Sequence, residues 1–359
     1  MKDHILTALE PQINLSRSTR WRMWLLNICV FAVIVQSSLT DGFHSLYAAL
    51  AALAAALGTE FLVNIKNKKM TLLDGSAAAT ALILTLLLPN TAHPLFPALG
   101  AVIAIAVVKH SFGGLGSNWL NPALGGWLFI YFSFSFLFSQ NLEGSALSLL
   151  SDALAKGYAD PSGSPMGSPM GIIKLAGYTP GKFDGMLTGL LNSTVFSFFR
   201  ATLPEGYIQL FCFDGPAIIA DRGLFALAAA TVLISAAQIS RFWMPAVYLA
   251  VYGLLIRLFG ALPYGGFLGG GDILFGLCTG GSLAAAFILL ADPATGPKSG
   301  IGAAAVSILA ALFSFLFRYP GGEPYGAFFA VALVNALVPL IRGAENWFFF
   351  ERRRSADER

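Results

Sequence analysis

About ten apolar runs follow one another along this chain, and they decide what it can fold into. They cover residues 23–39, 46–63, 74–88, 95–108, 122–138, 224–239, 244–262, 273–290, 301–317 and 327–341. Each approaches the ~20 residues that an α-helix needs to cross ~30 Å of hydrocarbon. Only 11% of the residues are charged, against about 25% in a soluble domain, so water would have to cover apolar faces that nothing else could bury. The expected fold class is an all-α integral membrane protein with about ten transmembrane helices. Several runs are short and interrupted by glycine, as in helices that stop partway through a bilayer.

Charge sets the orientation. The net charge of +3 is small, and the basic residues gather at the ends of apolar runs, a pattern of bilayer topology rather than of nucleic-acid binding. With a cytoplasmic amino terminus, the inner ends collect Arg17, Arg20, Arg22, Lys66, Lys68, Lys69, Lys109, Arg241, Lys298, Arg342 and Arg352 to Arg354. The short outer loops hold little beyond Arg318. Both termini are then expected inside. The organisation read from this is an amino-terminal segment (1–22), five membrane helices (23–139), an extracytoplasmic loop region (140–223), five more helices (224–342) and a tail (343–359). A polar segment precedes the first run, so no cleavable leader is expected.

The two sets of helices share a pattern. Gly75-Ser-Ala-Ala-Ala-Thr-Ala-Leu-Ile-Leu84 matches Gly281-Ser-Leu-Ala-Ala-Ala-Phe-Ile-Leu-Leu290. Each leads to a proline turn, an apolar run and then a basic residue, Lys109 or Arg318. Five is odd, so two five-helix halves lie oppositely oriented, an inverted repeat whose binding sites fall where the halves meet.

Chemistry-bearing clusters are few. Cys29 and Cys278 read as packing residues, and His4, His44, His93 and His110 lie apart, with no haem or zinc spacing. Asp74, Asp272, Asp292 and Lys298 sit at run ends as caps or solvated charges, and Glu60 is within reach of the interface. The Gly113-Gly-Leu-Gly-Ser-Asn-Trp-Leu-Asn-Pro122 turn can bring backbone amides close to a ligand or a neighbouring helix, but without a surrounding βαβ unit it resembles a dinucleotide fingerprint only superficially, and a tight interhelical turn is the alternative reading. The most distinctive polar stretch is Asp160-Pro-Ser-Gly-Ser-Pro-Met-Gly-Ser-Pro-Met-Gly-Ile-Ile-Lys174, a loop that presents serine hydroxyls and that charge places outside the cytoplasm. By composition alone it is a linker.

Four segments in order carry a resemblance: Asp74-Gly-Ser-Ala-Ala-Ala-Thr-Ala-Leu82, Gly113-Gly-Leu-Gly-Ser-Asn-Trp-Leu-Asn-Pro-Ala123, Ala291-Asp-Pro-Ala-Thr-Gly-Pro297 and Tyr319-Pro-Gly-Gly322. Together they resemble the RnfD/NqrB family, membrane subunits of the Rnf and sodium-pumping NADH:quinone oxidoreductase complexes, over about residues 15–345, and RnfD more than NqrB. The resemblance implies two inverted five-helix repeats, similar to urea transporters, in a bacterial inner membrane. It implies FMN joined through its phosphate to a hydroxyl side chain by a flavin transferase, and partners among the other Rnf subunits. It leaves open a second, non-covalent flavin such as riboflavin.

The family's acceptor is a threonine in a Ser-Gly-Ala-Thr-Pro-Leu type motif. Ser168 fits that position best here, with Ser164 as the alternative register; serine replaces threonine, and the preceding residues differ. Phe196, Phe198 and Phe199 are candidates for flavin contact. Ala220-Asp-Arg222 stands where the family tends to have Gly-Glu-Thr. The implied function is that of a redox subunit, not catalytic alone, in a Na⁺- or H⁺-translocating ferredoxin:NAD⁺ oxidoreductase. The competing readings are a urea-channel-like solute transporter and a purely structural membrane anchor.

Overall fold

The structure, a computed structural model, describes residues 18–67, 71–111, 118–140, 169–175, 179–198, 202–212, 218–237, 239, 241, 243–264, 266–292, 294–297 and 299–357. Among them regular structure is helical, and the only β feature is an isolated bridge between Pro89 and Ile218. The first helices are α1 (Thr19–Asp41), α2 (His44–Asn67) and α3 (Ser76–Leu87). Then come α4 (Leu95–Ile103, continued as a π-helix over Ala104–Lys109) and α5 (Pro122–Ser133). Short helices connect this half to the next: α6 (Phe136–Gln140), α7 (Pro169–Leu175), α8 (Lys182–Leu191, continued as a π-helix over Asn192–Phe196), α9 (Tyr207–Cys212) and α10 (Ile219–Arg222). The second half holds α11 (Leu224–Ala236), α12 (Trp243–Phe259), α13 (Ile273–Cys278), α14 (Ser282–Ala284, continued as a π-helix over Ala285–Leu290), α15 (Gly300–Arg318) and α16 (Gly326–Asp357).

Five of these are long and apolar enough to cross a membrane: Thr19–Thr40, His44–Lys66, Trp243–Tyr264, Gly300–Arg318 and Gly326–Trp347. Three shorter apolar helices, Ser76–Leu87, Leu95–Lys109 and Leu224–Ala236, join them. The expectation of an all-α membrane protein holds. The long spans expose large apolar side chains such as Ile28, Leu50, Leu62, Leu254 and Ile308 outward, as lipid contact requires.

Helix α3 lies innermost. Every residue of α3 is buried, alanines and leucines alike. Lipid tails are as apolar as leucine, so such helices associate by close packing of small residues rather than by escape from water. The crossing of α4 and α5 shows it: a Cβ on Gly126 would stand 2.6 Å from the Gly100 carbonyl oxygen. A helix that ends inside the membrane must satisfy its free carbonyls. Leu88 precedes a proline and is extended, as the proline ring dictates. The Trp127 indole then donates to the Leu87 oxygen at 3.0 Å and the Ile219 amide to the Leu88 oxygen at 3.1 Å. Cys29 and Cys278 are buried, as packing residues should be.

Candidate functional site

The two stretches that match in sequence have the same local geometry. Gly75 (φ 79°) and Gly281 (φ 67°) both adopt the left-handed conformation and cap the helices that follow, a backbone state that any side chain would strain. A serine follows each glycine, and a cation at the end of the next helix in the chain reaches that serine. Lys109 Nζ lies 2.7 Å from Ser76 Oγ, and an Arg318 guanidinium nitrogen lies 3.0 Å from Ser282 Oγ.

Around Ser76 the cation has counter-charges. Lys109 Nζ pairs with Glu60 Oε1 at 3.0 Å, with the lysine 3% exposed and the glutamate 0%. Glu60 Oε2 faces His110 Nε2 at 2.8 Å, and the Thr71 hydroxyl donates to Glu60 Oε1 at 2.5 Å. On the other side, Ser76 Oγ donates to Asp74 Oδ1 at 2.6 Å. The result is one hydrogen-bonded chain, His110–Glu60–Lys109–Ser76–Asp74. The interface position expected for Glu60 is overturned. Its carboxylate turns inward because a buried ammonium and two further donors meet it there, the condition under which a buried ion pair is tolerated.

Around Ser282 the arrangement is different. Arg318, expected as an outer-loop charge, is buried. One guanidinium nitrogen has Gly276 O at 2.6 Å, Thr279 O at 2.7 Å, Ser282 Oγ at 3.0 Å and Tyr252 Oη at 3.1 Å within reach, and the other donates to Thr279 Oγ1. No carboxylate among the described residues pairs with it directly. The nearby Asp221 uses both carboxylate oxygens on the Gly281 amide, each at 3.0 Å. The fork of the guanidinium suits the carbonyls that the break between α13 and α14 leaves free.

A cavity of about 260 Å³ opens beside the first break, between the two halves. Its polar lining is Ser76, Thr80, Lys109, Asn118, Asn121, Asp292 and Arg22; Leu26, Ile83, Ile234 and Ile288 are among its apolar walls. Asn121 caps α5, its Oδ1 accepting from the Ala123 amide at 3.0 Å, while its Nδ2 donates to Asp292 Oδ2 at 2.9 Å across the halves. Burial pushes the Asp292 carboxyl above the ordinary carboxylate range, against opposing hydrogen bonds from the Ala294 amide and Asn121. Two buried polar atoms of the lining, Asn118 Oδ1 and Arg22 Nε, have no hydrogen-bond partner among the described residues. Buried polar groups are nearly always satisfied, so this wall is built to meet a polar ligand or water.

Ser168 and Ser164 fall outside the described residues. Helix α7 begins immediately after Ser168, and its Met170, Ile172 and Ile173 are buried in the core. Phe199 also lies outside the described residues; Phe196 is half-buried and Phe198 is exposed on the continuation of α8. The capping role expected of Asp272 is present, since it accepts from the Phe275 amide at 3.0 Å. Asn118 and Asn121 lie in the turn, and Asp221 in the Ala220-Asp-Arg222 segment, that the resemblance marked, but none was singled out as a site residue. Lys109 and Arg318 were marked only by their equal places in the repeat.

The chain matches the NQR2, RnfD, RnfE family over residues 6–346. It is 28% identical to a subunit of the proton-translocating ferredoxin:NAD(+) oxidoreductase complex of Clostridium ljungdahlii, over 95% of each chain. It is 29% identical to the corresponding subunit of the ion-translocating oxidoreductase complex of Psychromonas ingrahamii, and 30% identical to that of Cronobacter sakazakii, in both cases over 93% of this chain and 95% of the relative.

Proposed function

The chain belongs to the NQR2, RnfD, RnfE family, and we propose that it is the RnfD-type membrane subunit of an ion-translocating ferredoxin:NAD⁺ oxidoreductase, carrying electrons on a covalently attached FMN. The observation that carries the reading is end-to-end similarity to relatives named as subunits of such complexes, with no large part of either chain left over. On this reading both termini are cytoplasmic, as the positive charges favour. The serine loop and α7 then lie on the outer side, where a flavin transferase would join FMN to Ser168, or to Ser164 in the alternative register. Burial of Met170, Ile172 and Ile173 supports Ser168 as a tether, because it fixes the chain to the core within two residues of the hydroxyl. Electron transfer then belongs to the assembled complex, and Na⁺ or H⁺ moves with it.

The cavity at the first break suits a second flavin held without a covalent bond. A flavin ring system offers an N–H donor and carbonyl acceptors around an apolar plate, and supplies one- and two-electron chemistry when bound. The unpartnered Asn118 Oδ1 would take the donor, Arg22 Nε and the Lys109 ammonium would meet acceptors, and Ile83 and Ile288 would flank the plate. That is the mix of apolar wall and few polar groups typical of cofactor pockets.

Co-expression with a flavin transferase is expected to give a band that fluoresces under ultraviolet light after denaturing electrophoresis. Peptide mass spectrometry should find FMN added within residues 157–182. Ser168→Ala should abolish the signal and Ser164→Ala should keep it; the converse moves the tether to Ser164. Fluorescence surviving in both variants rejects the attachment.

A further inference from the structure

Helix α8 with its π continuation, residues 182–198, has an inside-out character. Its inner side is held by polar clamps. The buried Asp184 accepts from the Gly206 amide at 2.6 Å and from the Gln209 amide at 2.8 Å. The buried Thr188 lies one turn on, and Asn192 exchanges hydrogen bonds with Leu203, its Nδ2 to the carbonyl at 3.0 Å and its Oδ1 from the amide at 2.7 Å. Its outer side is mainly apolar: Phe183, Met186, Leu190, Val195 and Phe198 are all exposed, Met186 at 76% and Leu190 at 56%, and of the hydroxyls exposed with them, those of Ser193 and Thr194 turn back to the Leu190 carbonyl at 2.9 and 2.7 Å. A helix at a water boundary would place these the other way round. The only acidic residue of the helix, Asp184, is turned inward, and Lys182 at its start is exposed. Arg200 follows its end in the sequence.

The height of the helix relative to the membrane follows from its attachments. Helix α8 packs on α9. Tyr207, the first residue of α9, donates its hydroxyl to Asp272, the N-cap of α13. Residues 273–290 then cross the membrane as the broken pair α13 and α14, so Asp272 marks the edge of the hydrocarbon. Helix α9 also packs on α11, and the first turns of α11 and α13 present Phe225 and Leu274 outward to lipid. Helix α8 is thus attached, through α9, to the start of α13, the end from which that run enters the membrane.

We propose that residues 182–198 lie in the bilayer interface as a monotopic helix, with Phe183, Met186 and Leu190 inserted among the lipids of the leaflet opposite the cavity. A helix with one apolar face, basic ends and no exposed acid is the kind that binds this boundary. The consequence is a second anchorage for the region that links the two halves, beyond the spans themselves.

The unmodified chain in phosphatidylcholine/phosphatidylglycerol nanodiscs, photolysed with a phospholipid carrying a diazirine near its glycerol end, should give lipid adducts on the 182–198 peptide. Adducts confined to the spans would overturn the proposal. A nitroxide placed by M186C or L190C, in a chain whose native cysteines are alanine, should collide more often with oxygen than with a polar nickel chelate. A preference for the chelate would put the face in water, and exclusion of both reagents in the assembled complex would put a protein there; either result overturns it.

Discussion

The two helix breaks share a left-handed glycine, a serine and a buried cation, yet one holds its charge with counter-ions and the other with dipoles. At the first break Lys109 is bound to Glu60, whose other oxygen meets His110, while Lys109 and Ser76 line a cavity. At the second, Arg318 is enclosed by carbonyl and hydroxyl oxygens. A lysine is a compact charge on a flexible stem, whereas an arginine is a rigid fork that stays charged. The same backbone plan therefore gives a site that can respond to a ligand and a site that is a fixed plug. The cavity opens at the first.

The comparison makes its largest prediction at the ion pair. Lys109→Met leaves the Glu60 carboxylate buried and short of its strongest partner, a loss of ~3–5 kcal/mol of stability. Adding Glu60→Gln should restore much of it, because the orphaned charge is gone. Arg318→Met has no equivalent rescue by a single second substitution, since its partners are backbone and hydroxyl oxygens. Thermal unfolding of the variants in detergent checks this. Additive losses in the Lys109/Glu60 double variant would show that the two do not act as a pair.

Backbone geometry gives the next effect. Alanine at either glycine incurs the left-handed strain, ~1–2 kcal/mol. Only at Gly281 does the new Cβ also collide, 2.2 Å from the Phe328 ring; at Gly75 the nearest atom is the end of Asn27 at 3.2 Å. Gly281→Ala should therefore cost ~1–3 kcal/mol more than Gly75→Ala. Equal losses would mean that the second break is as loosely packed as the first.

This asymmetry was only partly legible in the sequence. The apolar runs announced the membrane fold, and Gly-Ser followed later by a basic residue announced the two breaks. What the cations do was not legible, because it depends on contacts far apart in the chain. Glu60 and Lys109 are 49 residues apart and sit on different helices, and Asn121 meets Asp292 across 171 residues. Glu60 looked like a residue near a helix end that water would reach. It turned inward because the π-helical end of α4 delivers Lys109 to the same depth. Arg318 followed Arg/Lys counting rules that treat every cation as a loop charge, and those rules say nothing of a gap in a helix that needs donors.

The link between the halves should yield a smaller effect. Asn121→Ala removes the N-cap of α5 and the hydrogen bond to Asp292, and should cost ~1–2 kcal/mol. It should also weaken binding at the cavity more than Thr295→Ala does, since Thr295 is buried but does not line the cavity. Riboflavin titration followed by fluorescence quenching separates the two.

The smallest effect is a pH dependence from Asp292. Burial raises its pKa in the folded chain, so the folded state holds this proton to higher pH than the unfolded state does. Linkage then makes folding more favourable below the unfolded value of about 4, and that contribution is lost as pH rises through the raised folded value. Above that value the ionised carboxylate is a local liability, held in place by the Ala294 amide and Asn121. Asp292→Asn removes the charge and keeps one carbonyl oxygen, which can accept from the Ala294 amide or from Asn121 Nδ2 but not from both. The variant should be somewhat less stable than the wild type near pH 4, having lost one of the two hydrogen bonds, and should gain on it as pH rises through the raised folded value, with a flatter profile of unfolding temperature against pH. A wild-type profile as flat as that of the variant would mean that water entering through the cavity solvates Asp292 fully, and the first break would then be wetter than its packing implies.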